Sequence, residues 1–160
     1  MRVLGIDPGL VHTGWGVIDS SGASTSRAVA YGVIDTRSSD PLSTRLDAIY
    51  SGIVSVIERY RPDAAALESV YFGLNAKTAL SLGQARAAAI LATARRGLTL
   101  GEYPPATIKN VVVGQGRAEK EQVAYMVRML LGLDHEPHPD HASDALAAAI
   151  THLTMTRVVA

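Results

Sequence analysis

Val3-Leu4-Gly5-Ile6-Asp7-Pro8-Gly9 is the stretch on which the reading of this chain turns. Val3, Leu4 and Ile6 form a short apolar strand, Asp7 ends it, and Pro8-Gly9 is a turn signal that stops it. Two more strand-like runs follow, Trp15-Gly16-Val17-Ile18 and Ala28 to Ile34, with Gly, Ser and Asp between them. Three neighbouring antiparallel strands are therefore expected in the first third of the chain. From Pro41 the apolar residues Leu42, Leu46, Ile49, Ile53, Val56, Ile57 and Tyr60 recur at helical spacing, and Pro62 closes the element. Ala64 to Leu67 then makes a short apolar strand with Glu68 at its end, joined to the first strands through the helix as a crossover would be.

A long helix is predicted from about Asn75 to Arg96, with Ala79, Leu80, Gly83, Ala87, Ile90 and Leu91 on its packing side. Leu98 to Tyr103 reads as a fifth strand, and a short helix follows Pro104-Pro105 before the Gly114-Gln115-Gly116-Arg117 loop. Of the last two helices, one carries Val123, Met126, Val127 and Leu130, and the other begins near Asp140 and runs to about Thr156. The order βββαβαβααα, with no repeat and no linker, predicts an α/β fold in one domain spanning 1–160: a five-stranded mixed sheet with helices on both faces.

Composition narrows the function classes. At 160 residues, 48% hydrophobic and 19% charged, the chain has material for a sizeable core and does not resemble a disordered segment. The absence of cysteine excludes disulfides, thiolate metal sites and a cysteine nucleophile, and fits a reducing compartment, with the cytoplasm as the expectation. No apolar run is long enough to span a bilayer, so membrane readings are not expected. The net charge of zero conceals a division. Residues 77–128 hold eight basic side chains against three acidic ones, and the remainder holds seven against twelve. Such a chain can set a cationic surface beside an anionic pocket, an arrangement suited to a polyanion cut with metal ions.

Asp7 and Glu68 both end predicted strands, where an open α/β sheet normally presents its ligands. If their strands pair in parallel, the two carboxylates lie about 5 Å apart and repel unless a cation lies between them. The third contribution is expected from Pro139-Asp140-His141-Ala142-Ser143-Asp144, the polar first turns of the last helix. His141 and Asp144 share a face at i,i+3, Asp140 and Asp144 at i,i+4, and either pair could complete a site. Asp140 reads most simply as an N-cap. Asp144 directly precedes the apolar run Ala145 to Ile150, where an unpaired carboxylate is costly. Oxygen ligands from two strand ends and one helix suit Mg²⁺, and a pair of such ions can activate water and stabilise the leaving oxygen of a phosphodiester.

At this point the sequence resembles the RuvC family of Holliday-junction resolvases, endonucleases on an RNase H-like fold. The likeness lies in Gly5-Ile6-Asp7-Pro8-Gly9 with Thr13-Gly14-Trp15-Gly16-Val17, in Glu68 followed by Asn75 and Leu82-Gly83-Gln84-Ala85-Arg86, in Val112-Val113-Gly114 through Ala118-Glu119-Lys120, and in Asp144-Ala145-Leu146-Ala147. The resemblance implies symmetric nicking of two strands of a four-way DNA junction in recombination and repair, with Asp7, Glu68, His141 and Asp144 as the metal-binding catalytic set. It implies Mg²⁺, two ions per site, with Mn²⁺ also supporting activity. His141 departs from the Asp-x-x-Asp of many members, and a neutral imidazole suits Mn²⁺ better than an all-carboxylate site does. The resemblance further implies Lys109 and Lys120 near the cleaved strand, Tyr71 rather than Phe72 stacking on unpaired bases, and Arg117 as a further phosphate contact. Arg86 is expected on a helix face or dimer contact. A homodimer, with RuvA and RuvB as partners, completes what the family implies; the small residues Gly83 and Ala87 suit the long helix either to a contact between copies or to packing on the sheet.

Three alternatives stand beside this reading: a nuclease of the same fold acting on RNA/DNA hybrids, an actin-like ATP-binding protein suggested by the Asp7 hairpin, and a junction-binding module without catalysis.

Overall fold

The structure is a computed structural model, and it describes residues 1–20, 25–69 and 75–158. Ten elements follow the predicted order: β1 (Arg2–Asp7), β2 (His12–Ser20), β3 (Ser26–Asp35), α1 (Leu42–Tyr60), β4 (Ala64–Glu68), α2 (Ala76–Arg95), β5 (Thr99–Tyr103), α3 (Pro105–Val113), α4 (Lys120–Leu131) and α5 (Asp140–Val158). The strands lie in one sheet in the order β3-β2-β1-β4-β5. The first three are antiparallel neighbours, and β4 and β5 join in parallel, so the sheet is mixed as expected.

Side chains of a strand alternate between faces, and both faces here are covered. Leu4 and Ile6 of β1 point into a core with Ile53, Val56 and Ile57 of α1 and Ala89 and Ala92 of α2. Val3 points the other way, into a core with Ile108 and Val112 of α3, Val123 and Val127 of α4 and Leu146 of α5. Strands buried on both sides read as continuous apolar runs, which is why Ala64-Ala65-Ala66-Leu67 is legible as β4.

The helix α5 crosses the sheet at unusually short range because the strands beneath it carry glycine. A Cβ on Gly5 would lie 1.8 Å from the Ala145 carbonyl oxygen, and one on Gly14 would lie 1.9 Å from that of His141. Alanine on the helix side does the same work: Ala142, Ala145 and Ala149 are fully buried. The Thr151 hydroxyl, also buried, donates to the Ala147 carbonyl oxygen within the helix, so it carries no unmet polar demand into the core.

Two expectations about helix faces are corrected. The predicted packing side of α2 is largely its outer side, with Leu80 64% and Leu91 51% exposed and Gly83 and Ala87 also at the surface. Ala85, Ala88, Ala89 and Ala92 are buried instead. An alanine-rich helix is apolar almost all round, so periodicity does not choose its face. In α4, Leu131 is buried and Leu130 exposed, one position from the expected residue. Among the described residues no helix is long and apolar enough to cross a membrane.

Replacing Gly5 by Ala drives a methyl group into the α5 backbone, and overpacking of this kind costs about 1–3 kcal/mol. The expected result is a lower urea midpoint at unchanged slope; a wild-type midpoint would show that α5 does not rest on β1 as described.

Candidate active site

The parallel pairing of β1 with β4 ends at Ile6 opposite Leu67, which leaves Asp7 and Glu68 side by side at the next position. Alternation puts both on the α5 side, because Gly5 meets Ala145 and Ala66 belongs to the same core as Leu146. Immediately after Asp7 the chain turns, and Thr13 closes that turn. Its buried hydroxyl donates to the Gly9 carbonyl oxygen at 2.8 Å and accepts from the Gly9 N–H at 3.3 Å.

Over this edge α5 brings its first two turns. His141 Nδ1 lies 2.7 Å from an Asp7 carboxylate oxygen. Lys120, at the start of α4, sets its ammonium 3.2 Å from Asp144 and 3.6 Å from Asp140. Glu68, Lys109, Lys120 and Asp144 line a cleft of about 250 Å³ floored by Ile108, Val123 and Ala147. Four of the expected residues, Asp7, Glu68, His141 and Asp144, thus meet in one place, with Lys109 and Lys120 beside them.

The electrostatics are those of excess negative charge. Desolvation, then the charges of Asp7 and Asp144, push the Glu68 carboxyl up to about 7, while Lys109 and Arg86 pull against them. Asp144 is raised too, by burial first and by Asp7 second, with Lys120 opposing. The hydrogen bond to Asp7 raises the His141 pKa against the effect of burial. For Lys120 burial is the largest influence and lowers the pKa, but the combined pull of Asp144, Asp140 and Asp7 raises it overall.

Hard oxygens with one imidazole, among them two carboxyls raised first by burial and then by neighbouring charge, are a donor set that a divalent cation would relieve. Among the described residues no three such side chains converge into a preassembled cage. Asp7 is instead satisfied by His141, and Asp144 by the Lys120 ammonium, so cations of the protein stand where the charge calls for one.

The remaining expectations fall in different places. Asp140 is the first residue of α5 and faces Lys120, so it serves the ion pair rather than an N-cap. Arg117 is exposed on the loop before α4. Tyr71 and Phe72 lie outside the described residues. Arg86 is not a helix-face residue: its side chain is 12% exposed, donates to the Glu68 carbonyl oxygen and pairs with Glu102. It clamps the end of β4, and no local pattern announces that role, since α2 and β4 meet only in the folded chain. Sequence reasoning passed over His12, whose ring lies 5.5 Å from that of His141, centroid to centroid.

Residues 3–152 match the family model described as crossover junction endodeoxyribonuclease RuvC. The chain belongs to the RuvC family. A curated RuvC from Chloroflexus aggregans is 47% identical over 152 residues, which cover 95% of this chain and 92% of that one. The RuvC of Caldicellulosiruptor saccharolyticus is 44% identical over 153 residues, 96% of this chain and 92% of the relative. Among solved structures, Thermus thermophilus RuvC in complex with Holliday junction substrate superposes with a TM-score of 0.94 at 38% identity, covering 99% of this chain and 96% of that one. The RNase H-like five-stranded architecture agrees with that neighbour. A RuvC likeness over nearly the whole chain removes the ATP-binding alternative, which rested on one hairpin. RuvC nucleases are metal-dependent, in keeping with the donor set at this edge.

A carboxyl raised in the folded state favours the folded state while protonated, so that contribution is lost as pH rises through about 7. In metal-free protein the melting temperature should therefore fall between mildly acidic and alkaline pH, by a modest amount because Glu68 keeps an exposed edge. Glu68→Gln should flatten that fall and be the more stable protein on the alkaline side. Parallel melting profiles for the two proteins in the presence of a chelator would contradict the charge cluster.

Proposed function

We propose that this chain resolves four-way DNA junctions by hydrolysing one phosphodiester in each of two strands, with Asp7, Glu68, Asp144 and His141 forming the metal-binding catalytic set. The observation that carries the reading is the meeting of these residues at the carboxyl edge of β1 and β4 in a RuvC-family chain. Residues 1–160 act as one nuclease domain, and the enzyme works in the cytoplasm.

Mg²⁺, two ions to a site, with Mn²⁺ as an effective substitute, would supply Lewis acidity and an activated water when bound. Asp7 and Glu68, on rigid strand ends, supply the oxygen ligands of fixed position, and Asp144 and His141 supply those carried on α5. Lys120 neutralises Asp144 in the metal-free protein and offers its ammonium to a backbone phosphate. Lys109 brings a second positive charge to the Glu68 side of the cleft, and Arg117 a third outside it. Tyr71, in the segment directly after β4, is the aromatic proposed to stack on unpaired bases.

A four-way junction presents two equivalent strands, and a homodimer places one site on each. The exposed stripe of Leu80, Gly83, Ala87 and Leu91 on α2 supports that face as the contact between copies, since these residues are spaced to share one side of the helix. RuvA and RuvB are the partner proteins that membership of the family suggests.

Asp7→Asn should lower cleavage of a synthetic mobile junction by about a hundredfold or more while leaving binding in gel shift near wild type, because several kcal/mol of charge stabilisation depend on this site. Normal cutting by the variant would remove the assignment, and comparison with RNA/DNA hybrids tests the rival substrate. Mn²⁺ should support cleavage at least as well as Mg²⁺ for wild type, and His141→Ala should lose activity in both metals. A fully active His141→Ala protein would take His141 out of the set.

A further inference from the structure

Two imidazoles lie at the same edge of the sheet, each held by a carboxylate through Nδ1. His141 engages Asp7 at 2.7 Å, and His12, the first residue of β2, engages Asp35 at the same distance. The two ring centroids are 5.5 Å apart with the planes inclined by 32°. This arrangement follows from the register of the sheet. His12 pairs with Asp35 across the β2–β3 ladder, so its carboxylate partner is its cross-strand neighbour. Gly14, two residues on and therefore on the same face of β2, pairs with Asp7 and admits the His141 backbone at a range no other residue allows. One strand thus seats the start of α5 through Gly14 and meets the ring that projects from it through His12.

The geometry leaves a definite job for that second ring. The hydrogen bond to Asp7 anchors one nitrogen of the His141 imidazole, and coupled changes of the two side-chain torsions can still tilt the ring about that anchor. A neighbouring ring at 5.5 Å, inside the range over which aromatic pairs interact, restricts the plane. The Asp35 bond in turn restricts His12, which is 52% exposed in its side chain and would otherwise be loose. With Nδ1 of His141 committed to Asp7, Nε2 is the nitrogen left to accept or coordinate, so the plane of the ring sets where that lone pair points.

We propose that His12, oriented by Asp35, is a positioning residue for this nuclease that holds the plane of the His141 ring at the catalytic edge. The proposal rests on His141 being part of the site. The partners of His12 at this edge are Asp35 and the His141 ring, so its effect passes through His141.

The test compares His12→Ala, His12→Phe, Asp35→Asn, His141→Ala and the His12→Ala/His141→Ala double variant as full-length proteins. Imidazole nitrogen NMR of the metal-free proteins reads the His141 ring directly. Its resonances should shift or broaden in His12→Ala and stay near wild type in His12→Phe, which keeps a ring in contact. In junction cleavage with Mn²⁺, His12→Ala should lower kcat about tenfold with KM for the junction unchanged, the scale on which partners of metal-binding histidines act. His12→Phe should recover most of that loss, and Asp35→Asn should fall between the two. The double variant should be no worse than His141→Ala alone, because a residue acting only through another adds nothing once the other is gone. Additive losses in the double variant, or His141 resonances in His12→Ala that match wild type, would overturn the proposal. If His141→Ala cut at the wild-type rate, the assignment of His141 to the site would fail, while the NMR comparison would still decide whether His12 holds the ring.

Discussion

The seating of α5 on the sheet is the constraint on which the rest of this molecule depends. Strand and helix backbones approach within the space that a single methyl group would need, at Gly5 beneath Ala145 and at Gly14 beneath His141. Everything chemical about α5 follows from that contact. The helix carries Asp144 and His141 to an edge already holding Asp7 and Glu68, and an ordinary side-chain layer between helix and strands would hold them farther off. Hydrophobic burial fixes the seat: the middle of α5 is almost entirely alanine and leucine with no exposed face to turn toward water.

Such a seat forces like charges together, and the metal-free protein answers with cations of its own. His141 satisfies Asp7 and Lys120 satisfies Asp144, yet Glu68 and Asp144 still hold their protons more tightly than a free carboxyl does. The fold is therefore less relaxed at this edge than elsewhere, which is the usual condition of a place where ligands are to bind. Arg86 limits the conflict from behind by clamping the end of β4, and Tyr103 with His152 does similar work for β5, through a 2.8 Å hydrogen bond linking strand to helix.

Much of this was legible in the residues. The order of ten elements, the strand-ending positions of Asp7 and Glu68 and the change from polar to apolar at Asp144 are local patterns, and local patterns survive translation into structure. Faces were harder. In α2 alanine offers no contrast between sides, so the pattern points Leu80 and Leu91 inward, whereas the protein buries the smaller Ala85 against α1 and Ala89 against the sheet. Asp140 has the composition of a cap, but its partner is Lys120, twenty residues earlier and on another helix. The clamp made by Arg86 and the ring contact of His12 have no local signature, because what defines each is a neighbour supplied by a different element.

By itself, then, the amino-acid order determined which segments are strands and helices, which carboxylates end them and which family the pattern belongs to, all of which depend on residues close together in the chain. Only the tertiary structure decided which groups face one another: that Lys120 guards Asp144, that Arg86 holds the Glu68 carbonyl and that the His12 ring stands beside that of His141. The reason is physical. Propensity and periodicity act over a few residues, whereas electrostatic and ring contacts act over a few ångströms, and the register of the sheet with the close seat of α5 is what converts one scale into the other.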